Sequence, residues 1–262
     1  MTYDKICTAL GARPETLLVF DTVDSTNNVL KELARQGAPH GTVVVADHQT
    51  GGRGRMGRSF SSPRGLGLYL SALWRAEAPP DRLMHLTCMA AEAARRAVWE
   101  ASGVEARIKW INDLVVGGKK LAGILTELVS TPQGLAVICG IGINCGQTDG
   151  DFPPEVAELA VSLKQLGAEA DRSVLAAALI RQLGFACENL LTPEAWMAQY
   201  RRHCLTLGRD VRLLRNGSST PAHVDDLTPE GALVVTYPDG RRETVFSGEA
   251  SVRGLYGYAD AP

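Results

Sequence analysis

The sequence predicts an α+β fold: a mixed β-sheet flanked by amphipathic helices, followed by a small all-β unit. Three observations predict it. Apolar, β-branched runs at 17–20, 41–46, 66–74, 121–128 and 135–145 have the length and composition of strands. Helical periodicity appears near 27–36, 82–101, 173–191 and 193–204. Beyond about Leu205, short strands alternate with Asn216-Gly217, Pro229-Glu230-Gly231 and Pro238-Asp239-Gly240, the spacing of a five- or six-stranded barrel.

Taken in order, residues 1–15 end at Arg13-Pro14-Glu15 and are too few for a separate module. After the first strand, Asp21 to Asn27 is dense in capping residues, with Ser25 or Thr26 as N-cap. The helix that follows carries Val29, Leu30 and Leu33 on one face and stops at Gly37. Pro79-Pro80-Asp81 opens a long helix whose core stripe is Leu83, Leu86, Met89, Ala90, Ala93, Ala97 and Val98. Gly117-Gly118-Lys119-Lys120 reads as a hairpin-like turn bearing two lysines, and Leu121 to Leu128 as the return strand. Gly140 and Gly142 sit inside the last strand of the sheet, where glycine marks a close backbone approach or a bulge. The helices after Asp171 or Ser173 and after Pro193 are expected to cover the open face of the sheet. No repeat or low-complexity tract appears.

Composition excludes several classes. With 45% apolar and 21% charged residues in 262, the chain is that of an ordinary globular protein. A net charge of −2 gives no global attraction to nucleic acid or anionic membrane. No segment has the ~18–20 apolar residues of a spanning helix, and the N-terminus carries Asp4 and Lys5 rather than a secretory signal. Six cysteines stand singly, without metal-site spacing, and read as reduced core residues of a cytoplasmic protein.

Three segments carry chemistry. Gly51-Gly52-Arg53-Gly54-Arg55-Met56-Gly57-Arg58 combines four glycines with three arginines, and no acidic residue lies between Asp47 and Glu77. Such a loop suits phosphate or carboxylate oxygens and should be ordered by an anion. Gly52, Gly54 and Gly57 match G-x-G-x-x-G, but Ser59 to Gly65 cannot start the helix that a dinucleotide fold requires. Lys109-Trp110-Ile111-Asn112-Asp113 crowds an ammonium, an indole, an amide and a carboxylate at one strand end. Gly140 to Asn144 ends the last strand with an amide able to cap a turn or meet a ligand.

Together these residues resemble the biotin–protein ligases, that is, biotin–[acetyl-CoA-carboxylase] ligases. The signatures come in order: Asp24-Ser25-Thr26-Asn27; Gln49 to Arg58; Leu68-Tyr69-Leu70-Ser71; Lys109 to Asp113; Lys119-Lys120-Leu121-Ala122-Gly123-Ile124-Leu125; and Gly140-Ile141-Gly142-Ile143-Asn144. The match covers about residues 20–145, with weaker resemblance beyond. Ile111 stands where the family usually has Pro, Gly51 where it has Ala, and Phe60 where a Trp often stacks on adenine.

The resemblance implies a class II synthetase-like (biotin–lipoate ligase) catalytic domain over 1–205 and an SH3-like domain over 206–262. It implies that biotin and ATP, with Mg²⁺, form biotinoyl-5′-AMP, and that the biotinoyl group passes to a lysine of a biotin carboxyl carrier domain. By resemblance Lys120 and Arg55 are catalytic. Ser25, Thr26, Asn27, Gln49, Gly52, Arg53, Gly54, Arg55 and Lys120 bind biotin. Arg53, Arg55, Arg58, Phe60, Lys109, Asn112, Asp113 and Asn144 bind ATP, and Asp113 holds metal or orients the incoming lysine. The short N-terminal segment and the non-basic charge predict a monofunctional enzyme with no DNA partner; a homodimer is compatible with the reading. A lipoate–protein ligase would share the fold, but the Gly-Arg loop and Lys109 to Asp113 favour biotin. A basic-loop RNA binder would need interleaved aromatics, which are lacking.

Overall fold

The computed structural model describes residues 1–215, 217–246 and the backbone of 251–254; of 81 and 82 only the backbone is described. Asn216, part of the expected 216–217 turn, and the 247–250 and 255–262 portions of the expected C-terminal domain lie outside the described residues.

The helices are α1 (Tyr3–Leu10), α2 (Thr26–Arg35), α3 (Leu86–Ser102), α4 (Arg172–Glu188) and α5 (Glu194–His203). The first seven strands are β1 (Leu17–Val23), β2 (Val43–Gln49), β3 (Gly67–Arg75), β4 (Arg107–Lys109), β5 (Asp113–Val116), β6 (Lys119–Thr131) and β7 (Gly134–Asn144). They form one mixed sheet in the order β1-β2-β3-β7-β6-β5-β4, in which only β1 and β2 pair in parallel.

The long apolar strands are buried on both faces, and each face has its own core. On one face Leu68, Leu70, Trp74, Val137, Cys139 and Ile143 pack with the stripe of α3 and the small residues of α4. On the other, Leu73 and Ile138 meet Leu30 and Ala34 of α2. Each Leu or Ile buried in this way contributes about 1.5–3 kcal/mol relative to exposure. α2 is short and covers only part of its face.

Local differences from the sequence expectation have physical causes. α1 was not anticipated; Thr2 caps it by accepting from the Lys5 N–H at 3.4 Å, and Gly11 ends it at φ 70°. Pro79 and Pro80 open a 3₁₀ turn over Pro80–Leu83, and the long α-helix begins only at Leu86. Of the two readings of Gly140 and Gly142 the structure shows the close approach, by Asn27 and Phe60, and β7 is continuous from Gly134 to Asn144. All six cysteines are buried and free, and burial pushes the Cys139, Cys145 and Cys187 thiols up to about 12. No helix among the described residues is long and apolar enough to cross a membrane.

Five further strands follow: β8 (Asp210–Arg215), β9 (Ser218–Leu227), β10 (Leu233–Thr236), β11 (Arg242–Val245) and β12 (Ser251–Gly254). They form an antiparallel sheet in the order β11-β10-β9-β8-β12. Val211, Leu213, Val224, Leu233 and Val235 are its buried face. Arg201 of α5 pairs with Asp226 and donates to the Leu227 carbonyl at 2.8 Å, joining this sheet to the helical layer.

Candidate active site

A cavity of about 670 Å³ opens on the α2 side of the large sheet. Its floor includes three glycines that neighbour one another across β6 and β7: Gly123 pairs with Gly142, and Gly140 with Leu125. A Cβ at Gly142 would stand 2.5 Å from the Phe60 ring, and one at Gly140 would collide with Asn27 Oδ1. Glycine therefore lets an aromatic ring and an amide lie directly on the backbone of the sheet.

One end of the cavity is neutral and polar. α2 begins here, but Ser25, although at the N-cap position, makes no side-chain cap bond. Gln49, at the end of β2, takes that role. Its Oε1 accepts from the Thr26 N–H at 2.8 Å and lies 3.1 Å from the Thr26 hydroxyl, while its Nε2 donates to Ser62 Oγ at 2.9 Å. The fully buried Ser71 hydroxyl lies 2.7 Å from Thr26 Oγ1 and 2.6 Å from Asn27 Oδ1. Asn27 Nδ2 donates to Glu127 Oε2 at 2.8 Å and to the Leu125 carbonyl at 3.2 Å. These bonds fix hydroxyls and amides in place at a helix N-terminus, a geometry suited to a small polar head group.

The other end is cationic. The Gly-Arg segment folds as a small hairpin in which the Gly54 N–H donates to the Arg58 carbonyl at 2.7 Å and the Phe60 N–H to the Gly52 carbonyl at 2.9 Å. Its tip takes positive φ at Met56 and Gly57. Arg53, Arg55, Arg58, Lys109 and Lys120 line the cavity, and Asp113 is the one carboxylate among the described lining residues. Lys120 Nζ lies 2.7 Å from Asp113 Oδ1. Arg55 Nη1 donates to Asn112 Oδ1 at 3.1 Å, and Asn112 Nδ2 donates to the Ile124 carbonyl at 2.9 Å. Burial lowers the pKa of the Arg55 guanidinium; Asp113 opposes this and Arg58 adds to it. Phe60 packs between the glycine floor and Lys120, whose Nζ is 6.0 Å from the ring centre.

Lys120 is positioned by a bulge. Asp113 pairs with Gly123 and Leu114 with Ala122, but Val115 pairs with Lys120, so one residue of β6 is left over. The Lys120 backbone bonds elsewhere: its N–H donates to Leu159 at 2.7 Å and its carbonyl accepts from Val161 at 2.9 Å. The chain at Val156, Leu159 and Ala160 thereby forms a cavity wall.

Two expected site residues do not reach the cavity. Asn144 is buried and donates to the Val161 carbonyl at 3.1 Å and to the Lys120 carbonyl at 3.4 Å, so its amide Nδ2 braces the wall segment and Lys120. Gly52 lies beneath the hairpin, where a Cβ would meet the Phe60 carbonyl and stand 2.5 Å from Ser62 Oγ. Ser25, Thr26, Asn27, Gln49, Arg53, Gly54, Arg55, Arg58, Phe60, Lys109, Asn112, Asp113 and Lys120 all line it.

Residues 19–144 match the model of the biotin/lipoate A/B protein ligase family. The chain is 34% identical over 233 residues to the biotin–[acetyl-CoA-carboxylase] ligase of Mycobacterium tuberculosis, covering 86% of this chain and 84% of that one. The chain belongs to the biotin/lipoate A/B protein ligase family. It is also 44% identical over 154 residues to the bifunctional ligase/repressor BirA of Bacillus subtilis, and there the match spans about half of the relative, 47% of its length against 58% of this chain. Among solved structures it resembles the biotin protein ligase from Aquifex aeolicus in complex with biotin and ATP, with TM-score 0.78 and 29% identity over 92% of this chain and all of that one.

Residues of the sequence motifs line most of the cavity, yet one wall segment, Val156 to Ala160, and two residues that bond to lining side chains from behind, Ser71 and Glu127, have no role legible in the sequence. Ser71 ends the segment Leu68-Tyr69-Leu70-Ser71, whose sequence gives it no chemistry. Val156 to Ala160 carried no signal. Glu127 was legible only as a carboxylate in an otherwise apolar strand, on the same side of β6 as Gly123 and Leu125.

Proposed function

We propose that the protein is an ATP-dependent biotin–protein ligase, and one observation carries the reading. A single cavity has a neutral, hydrogen-bonding end at Ser25, Thr26, Asn27 and Gln49 and an end with five cations around one carboxylate. Biotin presents a neutral ureido ring and, at the end of a chain, a carboxylate. The neutral end would take the ring, and Lys120 would meet the carboxylate.

In the first step a biotin carboxylate oxygen attacks the α-phosphorus of ATP, forming the acyl–phosphate bond of biotinoyl-5′-AMP and releasing pyrophosphate. Two anions must meet, and preorganised cations in a site of low dielectric offset that repulsion. Lys120 bridges the carboxylate and an α-phosphate oxygen, Arg53, Arg55 and Arg58 close over the adenylate, and Phe60, Lys109 and Asn112 line the nucleotide side. One carboxylate is typical of what a protein offers a phosphate-borne Mg²⁺; Asp113 would hold it, and the ion would offset phosphate charge. In the second step the neutral amine of the carrier lysine attacks the acyl carbon, the acyl–phosphate bond breaks, AMP leaves, the nitrogen gives up a proton to solvent, and an amide forms. Asp113 would orient that lysine if it does not hold the ion, and the hairpin excludes water from the adenylate.

We read 1–205 as the catalytic domain and 206–262 as an SH3-like domain; the five-strand antiparallel order and the barrel-like spacing support the second. The reading places the enzyme in the cytoplasm, with a biotin carboxyl carrier domain as its protein partner and no DNA partner. Mass spectrometry of a carrier domain incubated with the protein, ATP, Mg²⁺ and biotin tests it. A single biotinoyl addition on one lysine is expected. No addition, or addition only when lipoate replaces biotin, would overturn it.

A further inference from the structure

Asn27 and Lys31 are four residues apart on α2 and so share one face of the helix. Both reach Glu127, which follows Gly123 and Leu125 along the cavity-facing side of β6. Glu127 Oε2 accepts from Asn27 Nδ2 at 2.8 Å, and Oε1 accepts from Lys31 Nζ at 2.6 Å. Arg53 Nη1 of the hairpin lies 3.3 Å from the same Oε1 and donates to Asn28 Oδ1 at 3.0 Å. Burial alone would raise the Glu127 carboxyl, but the bonds from Lys31 and Asn27 and the charges of Lys31 and Arg53 outweigh it and hold it below the usual range. The group is therefore an anion at neutral pH.

Asn27 has little freedom to answer any change at Glu127 by flipping. Its Oδ1 faces the Ser71 hydroxyl and its Nδ2 serves both Glu127 and the Leu125 carbonyl. Glu127 itself does not line the cavity, yet it bonds one residue of the neutral end and one of the cationic hairpin. We propose that Glu127 is a positioning residue that couples the two ends: its one carboxylate sets the Asn27 amide and docks Arg53, so that filling the neutral end favours the closed hairpin. The inference rests on the ligase reading for what the hairpin retains, but not for the coupling itself.

The test uses the full chain and three variants, Glu127→Gln, Lys31→Met and Arg53→Gln, with the Glu127→Gln/Arg53→Gln double variant. Glu127→Gln keeps size and an acceptor but loses the charge. The readout is escape of biotinoyl-AMP into solution, divided by the rate of biotin-dependent ATP–pyrophosphate exchange. Glu127→Gln should raise this ratio about fivefold or more, the lower end of coupling between sites. Lys31→Met, which touches the carboxylate but not the hairpin, should leave it at the parental value. The double variant should match the larger single effect and not the product of the two, because both remove the same contact. A parental ratio in Glu127→Gln, equal effects of Glu127→Gln and Lys31→Met, or multiplicative effects in the double variant would each overturn the proposal. If the parent shows no biotin-dependent exchange, the ligase reading fails instead. Coupling is then judged by amide hydrogen exchange over 53–59, which must rise in Glu127→Gln and not in Lys31→Met.

Discussion

The indole Nε1–H of Trp110 donates to the carbonyl oxygen of Gly231 at 2.8 Å, and this bond ties a wall of the cavity to the turn between β9 and β10. The same wall is held at two more points. The Trp110 N–H donates to Thr206 Oγ1 at 3.0 Å, and the Tyr200 hydroxyl donates to the Ile111 carbonyl at 3.2 Å. Gly231 has φ 83°, and a Cβ there would stand 2.6 Å from Cys88 Sγ. The Gly231→Val variant should therefore lose about 1–3 kcal/mol from backbone strain and overpacking. With Lys109 and Asn112 flanking Trp110, KM for ATP should rise more than KM for biotin. Thermal unfolding and steady-state exchange kinetics measure both; equal changes in the two KM values would show that the brace does not favour the nucleotide side.

Lys120 is the ammonium held by a bulge and paired with Asp113 at 2.7 Å. Removing one preorganised charge from a site that joins two anions costs about 10²–10³ in rate. The Lys120→Ala variant should lose at least that much ATP–pyrophosphate exchange at saturating biotin and ATP, with the fold intact by circular dichroism. Near-parental exchange would remove Lys120 from the chemistry.

Arg55 reaches across from the hairpin to Asn112 at 3.1 Å. Without that latch an adenylate formed in the cavity would escape before a carrier arrives. Arg55→Ala should leak biotinoyl-AMP and biotinylate bystander lysines in a mixture of proteins. Labelling confined to the carrier, as in the parent, would refute it.

Gly140 faces Asn27 Oδ1 so closely that no Cβ fits. Gly140→Ala must push the Asn27 amide from its bonds to Ser71 and Glu127. The expected result is a rise of about tenfold in KM for biotin, the loss of roughly one hydrogen bond to an uncharged group, with KM for ATP near the parental value. Calorimetric titration with biotin gives an independent measure, and unchanged affinity would separate Asn27 from the ligand.

Much of this was readable in the residues themselves. β-branched runs marked the central strands because those strands are buried on both faces, and the stripe from Leu83, in the 3₁₀ turn, through Leu86 to Val98 of α3 is buried as its spacing required. Thirteen of the residues assigned by resemblance meet at one cavity because their motifs sit at strand ends and helix starts that converge on one side of the sheet. What could not be read depended on tertiary partners. Ser25 looks like a cap in isolation, but Gln49 comes from 23 residues away to take the Thr26 N–H. Asn144 ends its strand as a ligand group might, but the wall at Val161 claims its amide. α1 is not legible because its cap and Gly11 stop enclose only eight residues, too short for a clear period.

The second sheet offers a test of its electrostatics that is independent of catalysis. Glu243 of β11 accepts from Tyr237 Oη at 2.7 Å, Arg215 Nη1 at 2.9 Å and Arg241 Nη1 at 3.0 Å. Together these donors bring its carboxyl from the ordinary 4.5 down to about 2. A carboxyl depressed on folding adds stability that is fully present above the unfolded-state pKa and lost as pH falls through the folded one. Its window here is therefore pH 4.5 down to about 2. The cluster is partly solvated, so the contribution at neutral pH should be about 1 kcal/mol. Glu243→Gln should be less stable than the parent at pH 7, and the gap should shrink steadily between pH 4.5 and 2. Urea unfolding at several pH values measures the difference. A gap that stays constant across that window would mean that the three donors do not bind the carboxylate more tightly than the acid.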